Sequence, residues 1–107
     1  MRQFDVYANP SKTTRRAYPF IVDIQSDIIS DIATRIVVPL GRKADFKRED
    51  LQRLTPTIEY EGGELLLLVP QMAAIPAKAL KNPIGSLGHF RDEIVAALDF
   101  AITAFNA

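Results

Sequence analysis

The chain contains no cysteine, no tryptophan and a single histidine, His89. Disulfides are therefore excluded, and because small secreted domains often need them, we expect a reducing, cytoplasmic location. Structural zinc takes three or four Cys, His or carboxylate ligands, which one histidine without cysteine does not supply. We expect neither a metal nor any other cofactor.

Sequence motifs of catalysis are also missing. Gly62 and Gly63 lie within a hairpin pattern, so they do not form a phosphate-binding loop. Ser86 lies near His89, but a catalytic triad also needs an orienting carboxylate and an oxyanion hole, and there is no elbow motif. We interpret His89 as a partly exposed residue of a first helical turn, and we predict no catalytic residue and no enzymatic activity.

Neither charge sign dominates, and no apolar run is long. Thirteen basic residues balance thirteen acidic ones, so no net field attracts the protein to nucleic acid or to a membrane. No run approaches the roughly 18 apolar residues of a membrane span, and the first residues lack the apolar stretch of a signal peptide. The length of 107 residues and the 48% hydrophobic content fit one globular domain, residues 1–107.

The first two thirds of the chain show strand patterns. Apolar and polar residues alternate over 3–7, which predicts a half-buried strand. Alternate apolar residues on one side predict two further strands over 18–25 and 35–40. Residues 57–60 and 65–69 flank two glycines that supply the positive φ angles of a tight hairpin turn. We interpret 26–33 as an ordered loop, and 41–53 as a charged loop that Phe46, Leu51 and Leu54 hold down.

The C-terminal part changes to helical periodicity, with inward positions at Leu87, Phe90, Ile94, Leu98 and Ala101. No proline or glycine interrupts 89–107, which predicts one C-terminal helix. From residue 94 onward only Asp99, Thr103 and Asn106 are polar, although a surface helix normally shows a broad polar face. Because the sheet of so small a domain covers one side of the helix, we predict that an identical chain covers the rest in a two-fold homodimer.

Several segments carry a family resemblance. Residues 20–29 read Phe-Ile-Val-Asp-Ile-Gln-Ser-Asp-Ile-Ile, an apolar strand followed by an Asp-aliphatic-Gln-Ser-Asp motif and two aliphatic residues. Segments 3–7, 35–40, 72–76 and 92–99 agree in order and spacing. Together they resemble the CcdB toxins, which poison DNA gyrase, over essentially the whole chain.

This resemblance implies a mostly β fold with one C-terminal α-helix, in which a five-stranded antiparallel sheet curls into a partial barrel and the protein forms a homodimer. It implies the toxin of a type II toxin–antitoxin system, which binds the gyrase A subunit and traps its cleavage complex with DNA. A CcdA-like antitoxin would neutralise the toxin and repress the operon with it, so that operator DNA is contacted only through the antitoxin complex. No membrane partner is implied.

The gyrase-binding positions implied by the resemblance lie in one loop and at the end of the helix: Ser26, Ile28, Ile29, Asp99, Ile102, Thr103, Ala104 and Phe105. The best-known members end in Trp-Gly-Ile, where this chain has Thr103-Ala104-Phe105 and two further residues. Two alternatives are a MazF-like endoribonuclease, against which the lone histidine argues, and an antitoxin-binding protein without gyrase activity.

Overall fold

A computed structural model describes residues 2–27, 33–49 and 51–103, with the side chain of residue 49 excepted. Over these ranges the chain forms seven strands and one α-helix, with short 3₁₀ turns between them. They are β1 (Asp5–Ala8), β2 (Phe20–Asp23), β3 (Thr34–Arg42), β4 (Thr57–Tyr60), β5 (Gly63–Leu67), β6 (Ala73–Pro76), β7 (Gly85–Ser86) and α1 (Arg91–Thr103). No helix in the described part of the chain reaches the length and apolarity needed to cross a membrane.

The strands form one antiparallel sheet in the order β4-β5-β3-β2-β1-β7, with β6 also pairing with β3. The predicted class is confirmed: a mostly antiparallel sheet curls into a half-barrel and is followed by a C-terminal helix. β6 and β7 are short strands beyond the five expected.

The nine-residue strand β3 changes partners along one of its edges. Its last three residues pair with β5, from Leu40 opposite Leu67 to Arg42 opposite Leu65. Its first four pair with β6, from Thr34 opposite Pro76 onward. Because a 3₁₀ turn at Val69–Gln71 separates β5 from β6, the sheet splits at this edge. The other edge of β3 pairs with β2, from Phe20 opposite Leu40 to Asp23 opposite Val37.

Both faces of the central strands are covered. On one face Val6, Val22 and Val38 belong to the main core, to which α1 contributes Ile94 and Ala97. On the other face a smaller buried cluster contains Tyr7, Ile21, Val37 and Leu80. The prediction that strand 3–7 is half-buried was therefore wrong at Tyr7, since Tyr7 was expected to face water and instead packs in the cluster that Leu80 joins.

The hairpin between β4 and β5 was predicted, but its turn chemistry was assigned to the wrong pair of residues. Positive φ angles occur at Glu61 (51°) and Gly62 (79°), whereas Gly63 is the first residue of β5. Positive φ at both central residues is the signature of a type I′ turn. Glu61 therefore occupies a left-handed conformation that glycine would adopt with less strain.

The helical prediction is confirmed over the described residues. A 3₁₀ turn at Gly88–Phe90 leads into α1, and the exposed His89 lies in that turn. The predicted inward positions are buried or packed against the main core. In the charged loop, however, Leu51 is 53% exposed, so it does not hold the loop down as expected. Phe46 is half-buried and stacks on Tyr18 at a ring distance of 5.4 Å.

Candidate functional site

The structure describes four of the eight predicted gyrase-binding residues: Ser26, Asp99, Ile102 and Thr103. Ile28, Ile29, Ala104 and Phe105 lie outside the described residues. Ile24, two positions before Ser26, and Ala101, next to Ile102, both pack against the main core cluster. Ile24 and Ala101 therefore tie the residues before Ser26 and the described last turn of α1 to the main core.

One side of α1 carries an exposed apolar surface, which we call the apolar flank and define as Val95, Leu98 and Ile102. Val95 is 39% exposed and Ile102 is 67% exposed, while Leu98 is half-buried between them. The spacing of three, four and seven residues places all three along one line of the helix. Neighbouring apolar side chains that are exposed together form a surface suited to contact with a partner.

The opposite side of α1 is covered by the chain itself. The guanidinium carbon of Arg53 lies 4.2 Å from the centre of the Phe100 ring, a cation–π contact, and Phe100 is half-buried. The premise that only the sheet covers the helix was therefore wrong, because the turn at Gln52–Leu54 packs on a second side. Apolar surface remains along the apolar flank.

The polar residues at the end of α1 are also exposed. The Thr103 hydroxyl donates to the backbone oxygen of Asp99 at 2.7 Å and lies 3.5 Å from its carboxylate Oδ1. Both contacts stay within the helix, so neither side chain is tied to the rest of the fold by them. An exposed carboxylate and an exposed Ile102 thus share the last turns of the helix.

A buried ion pair lies at the base of the loop that starts at Ser26. Asp23 is 0% exposed and Arg35 is 1% exposed. Arg35 Nε donates to Asp23 Oδ2 at 2.8 Å, and Nη2 lies 2.7 Å from the same oxygen. Burial raises the pKa of the Asp23 carboxyl above its ordinary value, although hydrogen bonds from Arg35 and from the Gln25 N–H oppose the shift.

Gln25 joins this pair, and we call Asp23, Gln25 and Arg35 the loop-base cluster. The Gln25 N–H donates to Asp23 Oδ1 at 3.0 Å, and its side-chain oxygen accepts from the N–H of Ile36 at 3.1 Å. Within the predicted strand 18–25, Asp23 and Gln25 alternate with apolar residues and so were expected on its polar face, and no cluster was predicted from that pattern. A sequence signal was present: two polar residues, Asp23 and Gln25, stand two positions apart in one strand, and Arg35 begins the next predicted strand, which is otherwise apolar. That pattern could have indicated a buried polar cluster.

A groove of about 500 Å³ lies on the sheet face opposite α1. Its lining includes Pro10, Tyr18, Ile21, Val37 and Ile75, so it is largely apolar. The two segments that border it, 9–18 and 71–82, carry five exposed cations and no carboxylate. The cations are Lys12, Arg15, Arg16, Lys78 and Lys81, which lie on these segments near lining residues in sequence rather than in the lining itself. We call this feature the basic-rimmed groove.

Among the described residues no group of three or more His, Cys, Asp or Glu side chains is placed to hold a metal ion. The ring of His89 is exposed and lies 4.4 Å from that of Phe90, so it packs on its neighbour in sequence. The described surfaces thus offer contact with partners: an apolar flank, a polar helix end and a basic-rimmed groove.

One protein-family model matches nearly the whole chain. The family model described as CcdB protein matches residues 3–104 of the 107-residue chain. The match includes the loop-base cluster, the described part of α1 and the segments that border the groove.

Proposed function

The chain belongs to the CcdB family, and we propose on that premise that it binds the A subunit of DNA gyrase and traps the gyrase–DNA cleavage complex. The family consists of toxins of toxin–antitoxin systems that act on gyrase as poisons rather than as enzymes. The family match over residues 3–104 carries the proposal. The exposed end of α1 supports it, because a poison needs an accessible surface that becomes buried against its target.

We assign the gyrase contact to the end of α1 and to the loop that starts at Ser26. Ile102 is the largest exposed apolar side chain among the described helix residues, and burying such a side chain at an interface contributes most when it lies near the centre. Asp99 and Thr103 lie near it in the helix, and their side chains are exposed to a partner although they contact each other. The proposal extends to the four predicted residues outside the described ranges, Ile28, Ile29, Ala104 and Phe105.

The direct test is a cleavage assay with gyrase, supercoiled DNA and the purified protein. We expect linear DNA to accumulate once the trapped complexes are denatured. Ile102→Lys should weaken trapping by about 30-fold or more, because it places a charge in the centre of the contact. Leu51→Lys is the matched control, since Leu51 is a similarly exposed leucine elsewhere, and it should trap like the wild type. A folded wild-type protein that traps no complex at any concentration contradicts the proposal.

We further propose a two-fold homodimer in which the partner chain covers Val95 and Leu98 and leaves Ile102 accessible. A two-fold toxin presents the same helix end to each half of a two-fold enzyme. The apolar flank supports this arrangement, since Val95 keeps 39% of its surface exposed and Leu98 is half-buried.

Sedimentation at micromolar concentration tests the dimer, and we expect a mass of twice the 11.9 kDa of one chain. Val95→Glu should shift the protein to the monomer mass, because a carboxylate would be buried without a partner at the interface. Ile84→Glu is the control, since Ile84 is 47% exposed and is not part of the apolar flank, and it should leave the mass unchanged. A wild-type protein that sediments at 11.9 kDa contradicts this proposal.

The basic-rimmed groove is our proposed site for the CcdA-like antitoxin. Its apolar floor suits alternate apolar side chains of an extended segment, and its five cations suit acidic residues between them. The balanced net charge of the chain supports operator contact made through the antitoxin rather than by the toxin itself.

The affinity for the antitoxin encoded beside the toxin gene tests this assignment. The double charge reversal Arg15→Glu/Arg16→Glu should weaken binding by about tenfold or more at low salt, and the loss should shrink as salt screens the charges. Lys47→Glu reverses an exposed cation outside the groove and should have little effect. Equal losses from both changes would show that general charge, and not the groove, attracts the antitoxin.

A further inference from the structure

We propose that Arg35 is a positioning residue that fixes residues 23–27 in one conformation and so positions Ser26 for the proposed gyrase contact. The presentation to gyrase rests on the function proposed above, whereas the fixing of residues 23–27 does not. Arg35 lies on β3, and it reaches across to three residues of the neighbouring segment at alternate positions.

The contacts of Arg35 extend beyond its ion pair. Besides Asp23, Nη2 donates to the backbone oxygen of Gln25 at 3.2 Å and lies 3.8 Å from Asp27 Oδ1. The planar guanidinium has five N–H donors in a fixed fork, so one side chain holds several acceptors at set angles. A lysine ammonium carries the same charge but lacks this geometry.

A second restraint reaches the same segment from the N-terminal side. The Gln3 N–H donates to Asp27 Oδ1 at 2.8 Å. The Gln3 side-chain nitrogen Nε2 donates to the backbone oxygen of Ile24 at 3.1 Å. The next residue, Phe4, has a φ angle of 71°, a costly conformation for a bulky side chain. Strained backbone conformations persist where the surrounding structure fixes them. Here the Phe4 N–H donates to the backbone oxygen of Asp23.

Stability alone does not account for a buried ion pair at this place. Removing two charges from water offsets much of their attraction, and a well-packed apolar pair often stabilises a fold equally well. An apolar pair would leave the Gln25 oxygen and Asp27 without their contacts to Arg35. What the ion pair adds is orientation of the residues that lead into the loop.

Amide hydrogen exchange and gyrase affinity of the Arg35→Lys protein test the inference. Two backbone amides should exchange roughly tenfold faster than in the wild type. They are the Gln25 N–H, which donates to the Asp23 carboxylate, and the Gln3 N–H, which donates to the Asp27 carboxylate. The amides of the β4–β5 hairpin should keep their rates. Gyrase affinity should fall by roughly tenfold. Arg42→Lys changes an exposed arginine at the other end of β3 and should alter neither measurement.

A second variant keeps the inference testable if Arg35→Lys does not fold. Asp23→Leu/Arg35→Met removes both charges and fills the space with apolar side chains, so the protein should fold. It should still show faster exchange of the Gln3 N–H and weaker binding to gyrase than the wild type. Wild-type exchange in both variants overturns the inference whatever gyrase does. Faster exchange with unchanged gyrase affinity also overturns it. If the wild type does not bind gyrase, the proposed function fails, and faster exchange still supports Arg35 as the residue that fixes the segment.

Discussion

Replacing Arg35 by methionine while Asp23 is kept should lower the free energy of unfolding by about 3–5 kcal/mol near neutral pH. The Asp23 carboxylate is completely buried, and without Arg35 its remaining described contact is the Gln25 N–H. Methionine keeps most of the side-chain volume, so the loss reflects an unpaired buried charge rather than a cavity. Urea unfolding measures it, and an unchanged m-value would show that the same surface is exposed on unfolding.

The pH dependence of this loss has a defined sign. Burial already raises the folded-state pKa of Asp23, and removing Arg35 takes away a cause that lowers it. A carboxyl whose pKa is higher in the folded state contributes stability that is present below its unfolded pKa of about 3.9 and is lost as the pH rises through the folded pKa. The deficit of Arg35→Met relative to the wild type should therefore be smaller at about pH 4 than at about pH 7.

The double variant Asp23→Leu/Arg35→Met supplies the control for stability as well. With no unpaired charge left, its free energy of unfolding should lie within about 1–2 kcal/mol of the wild type or above it. If the single and the double variants are equally unstable, packing around Arg35 dominates and the unpaired-charge explanation is wrong.

Local periodicity predicted the helix and the hairpin because their signals lie within short segments. The three- and four-residue spacing from Leu87 to Ala101 requires one buried side, and the structure places Ile94 and Ala97 there. The Gly62-Gly63 pair indicated a turn of the right kind. It did not indicate that Glu61 takes the first left-handed position, because that depends on which residues of β4 and β5 face each other.

Local patterns failed where a distant segment covers a surface. Asp23, Gln25 and Tyr7 alternate with apolar neighbours like residues that face water, yet all three are buried. Leu80 comes from an irregular segment far along the chain, so no strand period reveals that it joins Tyr7 in a buried cluster. The cation–π cover of Phe100 by Arg53 was missed for the same reason.

The candidate site was predicted from the family resemblance and not from periodicity. Ile102 illustrates the difference, since its spacing alone does not separate a dimer contact from a gyrase contact. The structure adds that Ile102 is exposed at the end of the helix, whereas Leu98 is half-buried. Exposure depends on where the helix ends relative to the sheet, which the sequence pattern does not specify.

The helix end gives the second large expected effect: replacing Thr103 by tryptophan should increase the affinity for gyrase about 100-fold. The best-known members of the family carry Trp-Gly-Ile where this chain has Thr103-Ala104-Phe105. Tryptophan is among the residues that most often dominate interface energies, because its large rigid ring buries much area at low entropic cost. The described polar contacts of the Thr103 side chain are with Asp99, so replacing it breaks no long-range contact.

The concentration that gives half-maximal trapping of the cleavage complex measures the gain. Thr103→Ala removes the same hydroxyl without adding a ring, and it should trap like the wild type within about threefold. Thr13→Trp adds the same ring at an exposed position of the β1–β2 loop and should give no gain. An equal gain at both positions would indicate non-specific adhesion. No gain at Thr103 would mean that gyrase does not contact the end of α1, because an aromatic anchor added within the contact would strengthen it.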